Sequence, residues 1–155
     1  MEENSSRIIK SGFTAVWFPP PSQSTELAPW GYEPDQLYNL DSKYGKESEL
    51  KSTINKLHSY GIDAIADVVI NHRHAEETIF TNPSWPITFI CSDAKVKGTG
   101  SPSTGDCVDF AEDLDHTNLG LQNEIVKYLN LHLKAKGFDG WRYDMVKGFE
   151  PCYIA

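Results

Sequence analysis

Gly137-Phe138-Asp139-Gly140-Trp141-Arg142-Tyr143-Asp144-Met145-Val146-Lys147-Gly148 is the stretch whose reading decides the fold. Its first residues alternate like a strand, so Arg142 and Asp144 share one face while Trp141 and Tyr143 take the other. A helix precedes it. Leu121, Ile125, Leu129 and Leu133 recur at helical spacing from Asn118 to Lys136, with Asn118 as N-cap and Gly137 as the stop.

The same order runs through the first half of the chain. A short helical end from about Ser6 to Lys10 closes at Gly12. Thr14-Ala15-Val16-Trp17-Phe18 is apolar without alternation, which predicts a strand buried on both faces. Pro19-Pro20-Pro21 ends it, because proline cannot donate to a ladder. Lys46 to Tyr60 carries Leu50, Ile54 and Leu57 at helical spacing and stops at Gly61. Ile62 to Ile70 is a second buried, parallel-type strand, with Asn71 and His72 at its carboxyl end. Helix, strand, helix, strand, insertion, helix, strand predicts an α/β fold with a parallel sheet and right-handed crossovers. In such folds chemistry collects at the carboxyl ends of the strands.

Two segments interrupt the alternation. Ser22 to Tyr44 reads as a loop region in which Trp30 and Tyr32 either stack on a sugar or pack the loop down. Arg73 to His116 has no long helix or apolar strand and is rich in Gly, Pro, Ser, Thr and Asp. Loops beyond about 12–15 residues are usually functional or form a small subdomain. Asp106, Asp109, Glu112, Asp113 and Asp115 crowd its end, an oxygen-rich composition that suits calcium, though no EF-hand spacing is present. A solvated acidic loop is the plain alternative. His72 and His74 make only a weak zinc pair.

Composition excludes several classes. The chain has 155 residues, a net charge of -8, 39% hydrophobic and 23% charged residues. That is a globular composition, and its acidity argues against nucleic-acid phosphates as partner while leaving a neutral polysaccharide or a hard cation open. No apolar run is long enough to span a membrane. Met1 to Ser6 is polar and acidic, unlike a secretory signal or an Arg-rich transit peptide. Cys91, Cys107 and Cys152 form no disulfide or zinc pattern, which favours a reducing compartment, cytoplasm or plastid, over secretion. No obligate protein partner is evident.

The pair in the opening stretch has a chemical use. A guanidinium beside a carboxylate keeps the carboxylate anionic, and an ionised aspartate is what attack on a sugar's anomeric carbon requires. On these residues alone, a strand-end ion pair that only stabilises a loop is the plainer reading.

Asp67-Val68-Val69-Ile70-Asn71-His72 and Gly140-Trp141-Arg142-Tyr143-Asp144 resemble two signature regions of the α-amylase family of glycoside hydrolases. Phe18-Pro19-Pro20-Pro21-Ser22, Gly31-Tyr32-Glu33-Pro34 and Ser42-Lys43-Tyr44-Gly45 look like the plant-type members, and the similarity runs over nearly the whole chain. The resemblance implies a partial (β/α)8 TIM barrel, about strands two to four, with a calcium-binding insertion after the third strand. Residues 1–72 then form the first part of the barrel, 73–116 the insertion, and 117–155 a barrel helix and the fourth strand. It implies a retaining endo-hydrolase of α-1,4-glucosidic bonds in starch, with Asp144 as nucleophile. Arg142 falls on the arginine beside it, His72 on a sugar-contacting histidine, Tyr32 on a stacking tyrosine, and Lys147 on a basic substrate contact. Calcium ligands fall on Asn71, Asp113 and the Gly148 carbonyl, with Asp106 contributing a backbone oxygen. Ser103 departs from the pattern, standing where secreted plant members carry an aspartate ligand.

The family's acid/base glutamate and third carboxylate lie beyond the fourth strand, and a full barrel needs about 250 residues. The expectation is therefore a chain that carries the nucleophile without its proton donor and does not turn over starch alone. The alternative is a short non-catalytic product that binds glucan or calcium weakly. A related transglycosylase or branching enzyme is a minor further option, disfavoured by the plant-type loop motifs.

Overall fold

The computed structural model describes residues 5–74 and 80–154. Met1 to Asn4, residues 75–79 of the expected insertion, and Ala155 lie outside the described residues. Helix α1 spans Ser5–Lys10 and ends at Gly12, whose φ of 80° is left-handed. Strand β1 spans Ala15–Phe18, and a small antiparallel ladder follows from β2 (Gln23–Ser24) and β3 (Pro34–Gln36). Helix α2, Glu47–His58, leads to β4, Asp63–Val68. A second small ladder joins β5 (His72–Arg73) to β6 (Glu112–Asp113), and α3 (Leu119–Val126) leads to β7 (Gly140–Tyr143).

Three strands make the central sheet in the order β1-β4-β7, all parallel. Trp17 stands beside Ile65, and Asp67 beside Arg142. One face carries Phe18, Ala64, Ala66 and Val68, buried under Ile54 and Leu57 of α2 and the α3 residues Leu121 and Ile125. The opposite face carries Trp17, Ile65, Asp67 and Arg142.

That second face corrects the expectation for β1. Burial on both faces was predicted, yet Trp17 is 56% exposed and Ala15 is exposed too. Apolar residues on both sides of a strand describe a sheet covered on both sides. Here the helices cover one side only, and the indole stays open to solvent with the Arg142 guanidinium 5.0 Å from its ring centre.

The helix predicted from Asn118 to Lys136 forms along its whole length, with a difference. The Asn118 side chain accepts from the amides of Gly120 and Leu121, as an N-cap should. Beyond Val126 the backbone widens into π-helical turns over Lys127–Leu133 and tightens to a 3-10 turn over Lys134–Lys136. The widening keeps Tyr128, Leu129 and Leu133 buried together, with the Tyr128 hydroxyl 2.7 Å from Ser22 Oγ. Gly137 then turns the chain at φ 110°. Below the sheet, Asp139 Oδ2 accepts from the Ala64 amide and lies 2.8 Å from His58 Nε2, locking the amino end of β7 to β4.

Arg73 anchors the region between β5 and β6. It is fully buried, lies over the rings of Phe80 and Trp85, and donates to the carbonyls of Asp35, Thr81 and Pro83. A charge buried this deeply is tolerable because aromatic faces and carbonyl oxygens replace water around it.

Candidate active site

The carboxyl ends of β4 and β7 bring five polar side chains together. Asp67, wholly buried at the end of β4, is the hub. Its Oδ2 accepts from the Tyr32 hydroxyl at 2.9 Å, and its two oxygens receive Arg142 Nη1 at 2.9 and 3.2 Å. The same Arg142 nitrogen reaches Asp144 Oδ1 at 2.6 Å. Period-two alternation placed Arg142 and Asp144 on one face, and the structure joins them.

Burial, then the bond to Asp67, pushes the Tyr32 hydroxyl up to about 12, so it is a fixed donor. The bond to Asp67 also raises the Arg142 guanidinium further above its ordinary value. Immediately after Asp144, Met145 sits at φ 50°, a left-handed backbone uncommon for a side-chain-bearing residue. Strain of this kind gathers where surrounding contacts over-determine a functional loop.

His72 lies on the other side of Tyr32. Its Nε2 donates to the Tyr32 carbonyl at 2.8 Å, which makes Nδ1 the acceptor, 3.2 Å from Asn71 Nδ2. Burial lowers the imidazole's affinity for a proton, so the neutral ring agrees with these two contacts. Phe110 closes edge-on against it at 5.0 Å.

Asn71 links this site to β6. Its amide nitrogen faces two acceptors, His72 Nδ1 and Asp113 Oδ1, the latter at 3.0 Å. That fixes the amide and turns Oδ1 toward Gly148, where a Cβ would fall far inside contact distance of it. Asn71 Oδ1 is buried and has no hydrogen-bond partner among the described residues. Burial pushes the Asp113 carboxyl up to about 6, even though the Val108 amide and Asn71 donate to it. The Gly148 carbonyl receives only a long contact, 3.4 Å, from Ser103 Oγ. A bare amide oxygen, a carboxylate short of positive charge and a carbonyl form a donor set that fits a hard cation.

The rest of the acidic group does not converge there. Glu112 accepts from the Val96 amide, Asp115 accepts from Ser101 and Thr117, and Asp109 is exposed. Asp106 pairs with Lys147 at 2.8 Å, both exposed, and its amide donates to the Lys147 carbonyl. Short chains of carboxylates in loops satisfy the nearest backbone amides before they gather into a cage, and composition cannot reveal this. Among the described residues no group of three His, Cys, Asp or Glu could hold a metal, so the zinc reading of His72 and His74 finds no support.

Of the residues expected from the sequence, Tyr32, His72, Arg142 and Asp144 come together; Asp67, which bonds both Tyr32 and Arg142, was not among them. The available signal was a second aspartate, besides Asp63, in an otherwise apolar strand, next to its last residue.

A family profile described as "Alpha amylase, catalytic domain" matches residues 7–87. The chain belongs to this family. Alpha-amylase 3, chloroplastic, of Arabidopsis thaliana is 35% identical over 99% of the chain, and Probable alpha-amylase 2 of the same plant is 38% identical over 95%. The chain spans only 18% and 37% of those two proteins. Its fold is that of the alpha-amylase from Geobacillus thermoleovorans complexed with acarbose, with a TM-score of 0.78, 21% identity, and coverage of 98% of the chain and 34% of that protein. The alpha-amylase from Malbranchea cinnamomea gives 0.78 at 22% identity, covering 99% and 36%. The three-stranded sheet is accordingly part of a family barrel wall.

Proposed function

We propose that the chain carries the nucleophile half of a retaining α-glucan hydrolase, acting on α-1,4 bonds of starch-type glucans. The Arg142 contact to Asp144 is the observation that supports this most, since it holds one carboxylate oxygen and leaves the other for an anomeric carbon. Tyr32 and His72 flank the place of the sugar ring, and Lys147, once released from Asp106, offers its ammonium to sugar hydroxyls. Residues 1–72 and 117–155 serve as barrel wall and 73–116 as insertion.

Retaining hydrolysis also needs a proton donor about 5–5.5 Å from the nucleophile. The second carboxylate at the site, Asp67, is buried and already accepts from Arg142 and Tyr32. It positions and does not protonate. Starch turnover by this chain alone is therefore expected to be negligible.

Asn71, Asp113 and the Gly148 carbonyl would hold calcium, with a backbone oxygen of Asp106 as a further ligand. The ion would supply the positive charge that Asp113 lacks and tie the insertion to the loop after Asp144. A reducing compartment, cytosol or plastid, agrees with three free thiols and with the name of one relative.

The test uses a substrate whose leaving group needs no proton. α-Maltotriosyl fluoride should release fluoride with the wild-type chain, while Asp144→Asn should be silent. Equal release by both would overturn the assignment.

A further inference from the structure

Two aromatic residues near this site have a constrained backbone and side chains left open to solvent. Trp30 is 55% exposed and Tyr44 is 56% exposed. Each is fixed through its backbone. Gly31, next to Trp30, takes φ 104° and is pressed onto the triple proline, where an added Cβ would lie 2.7 Å from Pro20 Cβ. Tyr44 sits in a turn closed by two backbone bonds between Ser42 and Gly45, and its amide donates to Ser42 Oγ. The Tyr44 hydroxyl then donates to the Trp30 carbonyl at 3.1 Å, tying the two loops together.

We propose that Trp30 and Tyr44 form an additional α-glucan contact, a stacking platform outside the Asp144 site. This rests on the glucan reading above. One residue separates Trp30 from Tyr32, so a chain bound at Tyr32 has the platform within reach. A pyranose ring presents axial C–H groups on one face and hydroxyls around its edge. Trp and Tyr match that division, offering an apolar ring surface with a polar tip. The surroundings offer polar partners for the hydroxyls, including the exposed Lys46–Asp41 pair at 2.8 Å. Tyr44 also lines an open groove of about 590 Å³ whose floor includes Phe18, Leu40 and Leu50, within the size range of small-ligand sites. A protein partner would instead use Leu27, which is 92% exposed and three residues before Trp30.

Calorimetric titration of the 155-residue chain with maltoheptaose tests this, with circular dichroism confirming that each variant folds. Trp30→Ala and Tyr44→Ala should each weaken binding by about tenfold, the scale of one aromatic contact. Trp30→Phe should recover most of the loss, and Leu27→Ser should bind like wild type. If the wild type binds and Trp30→Ala binds equally, the platform is refuted while the glucan reading stands. If the wild type does not bind maltoheptaose, both fail together. If Leu27→Ser weakens binding as much as Trp30→Ala, the patch is a general apolar surface and the platform is again refuted.

Discussion

Asp67 shows how much one buried carboxylate can organise. It has no water around it, and the Arg142 guanidinium and the Tyr32 hydroxyl are its compensation. Removing it leaves the Tyr32 hydroxyl without its acceptor and Arg142 with Asp144 alone, and losing hydrogen bonds to a charged group costs about 1.5–3 kcal/mol. Because the Arg142 side chain is 42% exposed, water recovers part of that, and Asp67→Ala should lose nearer the lower figure in urea unfolding. Asp67→Asn, which keeps the shape and one acceptor, should lose less. Asp144→Asn, at the surface end of the same chain of contacts, should change stability least. An Asp67→Ala chain as stable as Asp144→Asn would contradict the hub. The charged pair at the end of β7 was legible from period-two alternation alone. Asp67 was not, since a polar residue inside an apolar run carries no signal of what it meets across the sheet.

At the scale of elements, the sheet rests on turns that only glycine completes. Gly137 ends the long helix at φ 110°, and a Cβ there would lie 2.9 Å from Ile54 Cγ2 of α2. Gly137→Ala should therefore destabilise by about 1 kcal/mol for the backbone and more for the clash. A matching Gly12→Ala, with open space at its Cβ, should carry the backbone part alone. Comparing their thermal midpoints separates the two. Helix ends and the three strands could be read from the sequence because caps and apolar periodicity are local. The two short ladders, β2-β3 and β5-β6, could not, since each is too short to show a period. The π-helical turns were equally hidden. They answer to packing around Tyr128 and Ser22, residues 106 positions apart.

For the whole molecule, histidine burial sets a pH dependence. Burial pushes His72, His116 and His132 below the ordinary imidazole value. The unfolded chain takes up these protons near pH 6.5 and the folded chain resists them. Their contribution is therefore full above about 6.5 and drains as pH falls toward the lower folded values. Asp113 has the opposite sign, its contribution being present below the ordinary carboxylate range and lost as pH rises through about 6. A single variant isolates the imidazole effect. His132, stacked on Tyr38 at 4.6 Å with Nε2 buried and unpartnered among the described residues, can be replaced as His132→Phe. The fall in thermal midpoint between pH 7 and 5.5 should shrink in that variant, and an unchanged slope would exclude His132 from it. The family barrel wall was legible from the order of elements and the signature motifs. The dispersal of the carboxylates between β5 and α3 was not, because composition does not say which amide each one meets. The central claim is that Asp144 attacks a glucose anomeric carbon, and covalent trapping tests it most directly. The intact chain is incubated with 5-fluoro-α-D-glucosyl fluoride, whose C1–F bond breaks as an ester forms to Asp144 and fluoride leaves. Peptide mass spectrometry should then find the added sugar on the peptide containing Asp144, and none in Asp144→Asn. An unlabelled wild-type chain, or a label on any other carboxylate, would contradict the assignment.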